Sequence, residues 1–117
     1  MAGLTTHALD VMHGRPAAGM RIDLAVEENG VWRPLASTVT NAQGRTDRPL
    51  LDPAEAKKGR YELRFHVGAY FAALGVDSGD PAFLDVVPIR FAIARPDEHY
   101  HVPLLVSPWS YSTYRGS

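Results

Sequence analysis

His99 and His101 stand two residues apart in the run Tyr100-His101-Val102-Pro103-Leu104-Leu105-Val106 and its approach. In a β-strand, side chains two apart share a face. Two imidazoles at this spacing suit a zinc site, with His7, His66 or a carboxylate as the third ligand. Such a pair arises easily by chance, and a metal-free role is the better reading. An ordinary histidine titrates near ~6.5, so a neutral imidazole is available as a base at working pH. The same alternation makes Tyr100, Val102, Leu104 and Val106 the core set and turns His101, Pro103 and Leu105 outward. An isolated outward histidine would be read as a surface residue. An outward leucine beside an outward proline points instead to a covered face, most simply covered by another copy of the chain. His101 then sits in or beside the resulting groove.

Other chemistry is thinner. The sequence has no cysteine, which removes disulfides, thiolate metal sites and a cysteine nucleophile together. It has no Gly-x-Ser-x-Gly elbow, no His-Glu-x-x-His and no phosphate-binding glycine loop. A Ser–His–Asp triad stays open, because its members need not be adjacent. Asp52-Pro53-Ala54-Glu55-Ala56 reads as a solvated loop, and Trp32 and Trp109 as packing or interface residues.

The elements that must carry these groups are short strands. Nine prolines and ten glycines divide the chain into runs of period two. Thr5–Val11 is the first run, and Gly14-Arg15-Pro16 breaks it. Arg21–Glu28 and Val31–Thr40 flank Asn29-Gly30, a hairpin turn that needs positive φ. Asn41-Ala42-Gln43-Gly44 is a second turn, followed at Arg45–Asp47 by at most a brief edge strand. Gly59–Val67 alternates most cleanly, with Tyr61, Leu63, Phe65 and Val67 on one face. Ala69–Leu74 reads as one short helix capped by Gly75. In Asp85–Ala94, Pro88 marks an edge or bulged strand. Tyr100–Val106 and Ser110–Tyr114 complete the set. The expected fold is all-β: an antiparallel β-sandwich of seven to eight strands with one short helix.

At 117 residues the chain fits a single domain, 1–117. The formal net charge is -1, with twelve basic and thirteen acidic side chains and no basic cluster. That balance speaks against nucleic acid and against an anionic membrane surface. No stretch approaches the roughly 20 apolar residues of a membrane helix. The N-terminal residues lack the pattern of a signal peptide, so a cytoplasmic location is expected.

Three segments together resemble one family: Leu4-Thr5-Thr6-His7-Ala8-Leu9-Asp10, Thr40-Asn41-Ala42-Gln43-Gly44-Arg45, and Tyr100 through Ser117 with its ending Tyr114-Arg115-Gly116-Ser117. They resemble the 5-hydroxyisourate hydrolases, transthyretin-related enzymes of urate degradation, over essentially the whole chain. Transthyretin itself, a hormone carrier, shares that fold but lacks this ending and the two histidines and arginine. The resemblance implies a transthyretin-like sandwich and a homotetramer whose substrate binds at the dimer–dimer interface, with no cofactor and no metal. It implies hydrolysis of a ring amide in 5-hydroxyisourate, giving 2-oxo-4-hydroxy-4-carboxy-5-ureidoimidazoline. The family's functional positions fall on His7, Arg45, His101 and Tyr114, with Ser117 beside them. On that basis His7 and His101 would position and deprotonate water, and Arg45 would hold the substrate's oxygens. Tyr114 would contact the ring, and Ser117 would orient a histidine by its hydroxyl or a terminal carboxylate. Gln43 departs from the acidic residue common before the Gly-Arg pair. The rival readings are a carrier of a hydrophobic ligand, a metal-dependent hydrolase using His99 and His101, and a structural or adhesive sandwich domain.

Overall fold

Alternation of apolar and polar side chains is the pattern that organises the fold. In the computed structural model, which describes residues 3–117, the elements are β1 (Gly3–Asp10), β2 (Arg15–Pro16), β3 (Arg21–Glu28), β4 (Val31–Val39), β5 (Gly59–His66), α1 (Val67–Ala73), β6 (Val86–Ile93), β7 (His99–Val106) and β8 (Tyr111–Thr113). They form two four-stranded sheets, ordered β2-β1-β7-β8 and β4-β3-β5-β6. Leu4, Ala8, Val102, Leu104 and Val106 of the first sheet and Ile22, Leu24, Leu63, Phe65 and Val87 of the second belong to one buried cluster. Among the described residues no helix is long and apolar enough to cross a membrane.

Several local expectations hold. Asn29 and Gly30 have φ of 53° and 78°, the positive values a tight β3–β4 hairpin requires. Pro88 lies on β6, an edge strand, the position where a strand tolerates a residue without an N–H. The helix ends at Gly75: its N–H donates to the Ala72 carbonyl, and that of Val76 to Phe71, the paired bonds of a Schellman end.

Other expectations give way to longer-range contacts. No strand forms at Arg45–Asp47. There the Asn41 side-chain oxygen accepts from the N–H groups of both Gln43 and Arg45, and such a side-chain acceptor competes with ladder pairing. Arg15-Pro16 is not merely a break but the short strand β2, paired with Leu9 and Asp10. The helix begins two residues before the expected Ala69, because Val67 and Gly68 are buried in its first turn. All strand pairs are antiparallel except β1 with β7, which run parallel.

The end of β1 is pinned from the core side. The buried Asp10 carboxylate accepts from the backbone N–H of His13 at 2.9 Å, from its Nδ1 at 2.6 Å and from the Tyr70 hydroxyl at 2.8 Å. Burial alone would raise its pKa, but the bonds from His13 and Tyr70 outweigh that and lower it. Burial and the neighbouring Asp10 carboxylate push the Tyr70 phenol up to about 12.

Candidate active site

The site is built on the parallel pairing of β1 with β7. Its register sets Thr5 beside His101 and His7 beside Pro103. Parallel partners point to the same side of a sheet, so Thr5, His7, His99 and His101 share the outer face. On the inner face, Thr6 donates its hydroxyl to the Val102 carbonyl at 2.7 Å. Parity within β1 alone does not reveal its buried side. The contact with β7 resolves it: Leu4, Thr6, Ala8 and Asp10 are buried, while Thr5, His7 and Leu9 are half-buried.

His101 is held on three sides. Its Nδ1 lies 2.8 Å from the Thr5 hydroxyl, which also lies 3.0 Å from His99 Nε2. The chain end folds back as a β-bridge, with the Gly116 N–H donating to the His101 carbonyl at 2.8 Å. Gly116 also lies against the ring, and a Cβ built there would stand 2.6 Å from His101 Cδ2. Among the described residues His101 Nε2 has no hydrogen-bond partner, so the outward nitrogen stays open. Burial, followed by the charges of Arg45, His99 and His7, lowers the His101 pKa below its ordinary value.

His7 lies 2.8 Å through Nε2 from the Gln43 carbonyl. A carbonyl only accepts, so this nitrogen carries a proton, and in the neutral ring Nδ1 keeps the lone pair. The bond uses the backbone of residue 43, so the glutamine side chain in place of an acidic one leaves it intact. The same loop brings up Arg45. Asn41 closes the turn through its side-chain oxygen, and Ala8 donates its N–H to the Gly44 carbonyl at 2.8 Å. Gly44 has φ of 74°, and a Cβ on it would collide with the Ala8 carbonyl oxygen. Only glycine permits that approach, which fastens the Arg45 loop to the strand that carries His7. The Arg45 side chain is exposed and has no ion-pair or hydrogen-bond partner among the described residues.

Arg45, His99 and His7 are therefore near enough to His101 to act on its ring. Tyr114 and Ser117 are placed differently. Within one chain, Tyr114 is 58 % exposed and lines a cleft at the β6–β8 side with Ile89, Phe91, Tyr100 and Val102. Ser117 follows Gly116 directly and is exposed. The tail is anchored by Arg115, whose guanidinium lies 4.1 Å from the Tyr100 ring and donates to Glu98 and to the His99 carbonyl. Thr5, Gly116 and Arg115 escape the sequence reading as parts of the site. The signal for Thr5 is its parity with His7, which becomes informative only once the β1–β7 register is known. Both nitrogens of the proposed His99/His101 metal pair that face Thr5 are engaged by one hydroxyl, and among the described residues no cluster of three metal-ligating side chains forms.

Comparison with known proteins places this geometry in a lineage. Residues 4–116 match the model of the HIUase/Transthyretin family. The 5-hydroxyisourate hydrolase of Deinococcus radiodurans is 52 % identical over 115 residues, spanning 98 % of this chain and 96 % of that one. The crystal structure of (S)-allantoin synthase superposes with a TM-score of 0.92 at 47 % identity, covering 98 % of this chain, which spans only 43 % of that longer protein. The Klebsiella pneumoniae 5-hydroxyisourate hydrolase structure gives a TM-score of 0.83 at 39 % identity, with complete coverage of both chains. With the family model matching almost the whole chain and relatives about 50 % identical along its length, the chain belongs to the HIUase/Transthyretin family.

Proposed function

We propose that this protein hydrolyses 5-hydroxyisourate to 2-oxo-4-hydroxy-4-carboxy-5-ureidoimidazoline, as one domain over residues 1–117, without cofactor or metal. The observation that carries this reading is the open Nε2 of His101, with the unpartnered guanidinium of Arg45 near enough for its charge to act on the ring. His101, kept neutral by burial and by the nearby Arg45 charge, takes a proton from water at Nε2. The water oxygen bonds to a ring carbonyl carbon, and Arg45 holds the oxygen that becomes negative. The tetrahedral centre then collapses, the ring C–N bond breaks, and the leaving nitrogen takes the proton back from His101. His7, with its Nε2 proton committed to Gln43, orients the water through Nδ1.

A carrier of hydrophobic ligands would line its channel with small apolar groups, and two histidines with an arginine fit that poorly. Pro103, expected to face outward, is already buried within the single chain; the half-buried Leu9 and Leu105 beside the histidines remain to support a homotetramer in which this face meets its copies and Tyr114 and Ser117 reach substrate. The cysteine-free sequence suits a cytoplasmic location.

The direct test generates 5-hydroxyisourate from urate with urate oxidase and follows its ultraviolet decay. Added protein accelerates the decay at catalytic concentrations. A decay no faster than the spontaneous one overturns the reading.

The chain end supplies a sharper expectation. Gly116→Ala drives a methyl group into the His101 ring, so either the imidazole leaves its Thr5 bond or the tail lifts. We expect kcat to fall about tenfold, the scale of a group that orients a functional imidazole, with the tetramer intact by light scattering. Unchanged kcat would show that the tail does not hold His101.

A further inference from the structure

Thr5 has one hydroxyl proton, yet its oxygen lies within hydrogen-bond distance of two imidazoles, at 3.0 Å from His99 Nε2 and 2.8 Å from His101 Nδ1. The two bonds are therefore coupled in direction. If His101 donates from Nδ1, the hydroxyl proton goes to His99 Nε2, and His101 keeps a lone pair on Nε2. If His99 donates instead, the hydroxyl proton goes to His101 Nδ1, and the His101 proton sits on Nε2. Only the first order leaves the open nitrogen able to accept a proton.

We propose that Thr5 and His99 are positioning residues, a hydrogen-bonded relay that holds His101 in the tautomer with its proton on Nδ1. The proposal rests on the reading of His101 as the base. The geometry around the ring supports it. Flipping the ring would exchange Nδ1 with Cδ2, place a carbon against the Thr5 hydroxyl and forfeit the bond. Gly116, packed at Cδ2 and bonded to the His101 carbonyl, closes the space through which the ring would swing. His99 is half-buried, with its own strand and the Arg115 contact to its carbonyl fixing its backbone. Thr5 is half-buried beside it on β1. The two bonds run in series, and such chains reinforce one another. Neither Thr5 nor His99 need touch substrate for this role.

The test has one arm that needs no variant. Long-range 1H–15N spectra of the uniformly labelled native protein are expected to show His101 protonated at Nδ1 in its neutral form. A native His101 protonated at Nε2 overturns the proposal. In Thr5→Val the hydroxyl is lost at nearly constant shape. There we expect kcat to fall about ten- to a hundredfold with KM little changed, and the His101 signals to move toward the Nε2–H form. Thr5→Ser restores the hydroxyl, most of kcat and the native tautomer. His99→Leu moves the tautomer in the same direction as Thr5→Val. A Thr5→Val protein with native kcat and tautomer overturns the relay, even where His101→Asn is inactive and the base assignment stands. A fully active His101→Asn overturns the base assignment itself, so the two failures read differently.

Discussion

Replacing His101 with asparagine is expected to lower kcat on 5-hydroxyisourate by about 10²–10⁴-fold, the usual contribution of a positioned acid–base group. Asparagine is close in size, and its amide can still meet the Thr5 hydroxyl. The strand, the Gly116 bridge and the assembly should therefore persist, and a circular-dichroism melt near native would confirm this. What disappears is the lone pair at the position of Nε2. The pH profile separates this loss from a general disturbance. With His101 as the proposed base, the active form of His101 is the neutral one, so the rate is expected to rise with pH through the His101 pKa and to be flat above it. Burial, and after it the nearby positive charge of Arg45, move that limb below the ordinary ~6.5. The same depression bears on folding. Between the two pKa values the unfolded chain binds the proton first, so stability falls as pH drops through that window. In His101→Asn the acid limb due to this group is absent. A variant with native kcat and the native acid limb would remove His101 from the reaction.

The parts of the site that are legible in the sequence are those fixed by neighbours along the chain. The outward turn of His101 follows from the alternation of β7, since Tyr100, Val102, Leu104 and Val106 all lie in the core. The edge position of β6 follows from Pro88, and the β3–β4 hairpin from Asn29-Gly30. The parts that are not legible depend on which strands meet. Parity groups Thr5 with His7 but leaves their face undecided, because the deciding contact is with a strand more than ninety residues away. On local grounds the Arg45 segment reads as a turn followed by at most a brief edge strand. Its course is set by the Asn41 side chain and by the approach of Gly44 to Ala8, which local periodicity does not encode. The bridge from Gly116 to His101 requires the tail to return after β8, and the sequence marks it only by likeness to a family. Thus the resemblance names residues, while the structure supplies reasons: a proton on Nε2 of His7, an open nitrogen for His101, and a glycine where a methyl group has no room.

Arg45→Gln is the second substitution with a large expected effect, a fall in kcat/KM of about 10²–10³-fold, the scale of losing a donor to a developing oxyanion. Two properties of the residue lead there. Its backbone is fastened: Asn41 holds its N–H, and the Gly44 carbonyl accepts from Ala8. Its guanidinium has no protein partner among the described residues, so substitution breaks no ion pair, and the fold should be indifferent to it. Arg45→Lys separates charge from shape. A lysine keeps the positive charge but loses the planar fork that meets two oxygens at once, so its kcat/KM should lie between those of the native protein and of Arg45→Gln. The acid limb tests the electrostatic half independently. The Arg45 charge helps to depress the His101 pKa. Removing it in Arg45→Gln should therefore move the limb to higher pH, while Arg45→Lys should leave it near the native position. A glutamine variant that loses activity without moving the limb would place Arg45 on the substrate but away from His101. One that retains native kcat/KM would take Arg45 out of the site, leaving the histidines to stabilise the oxyanion alone.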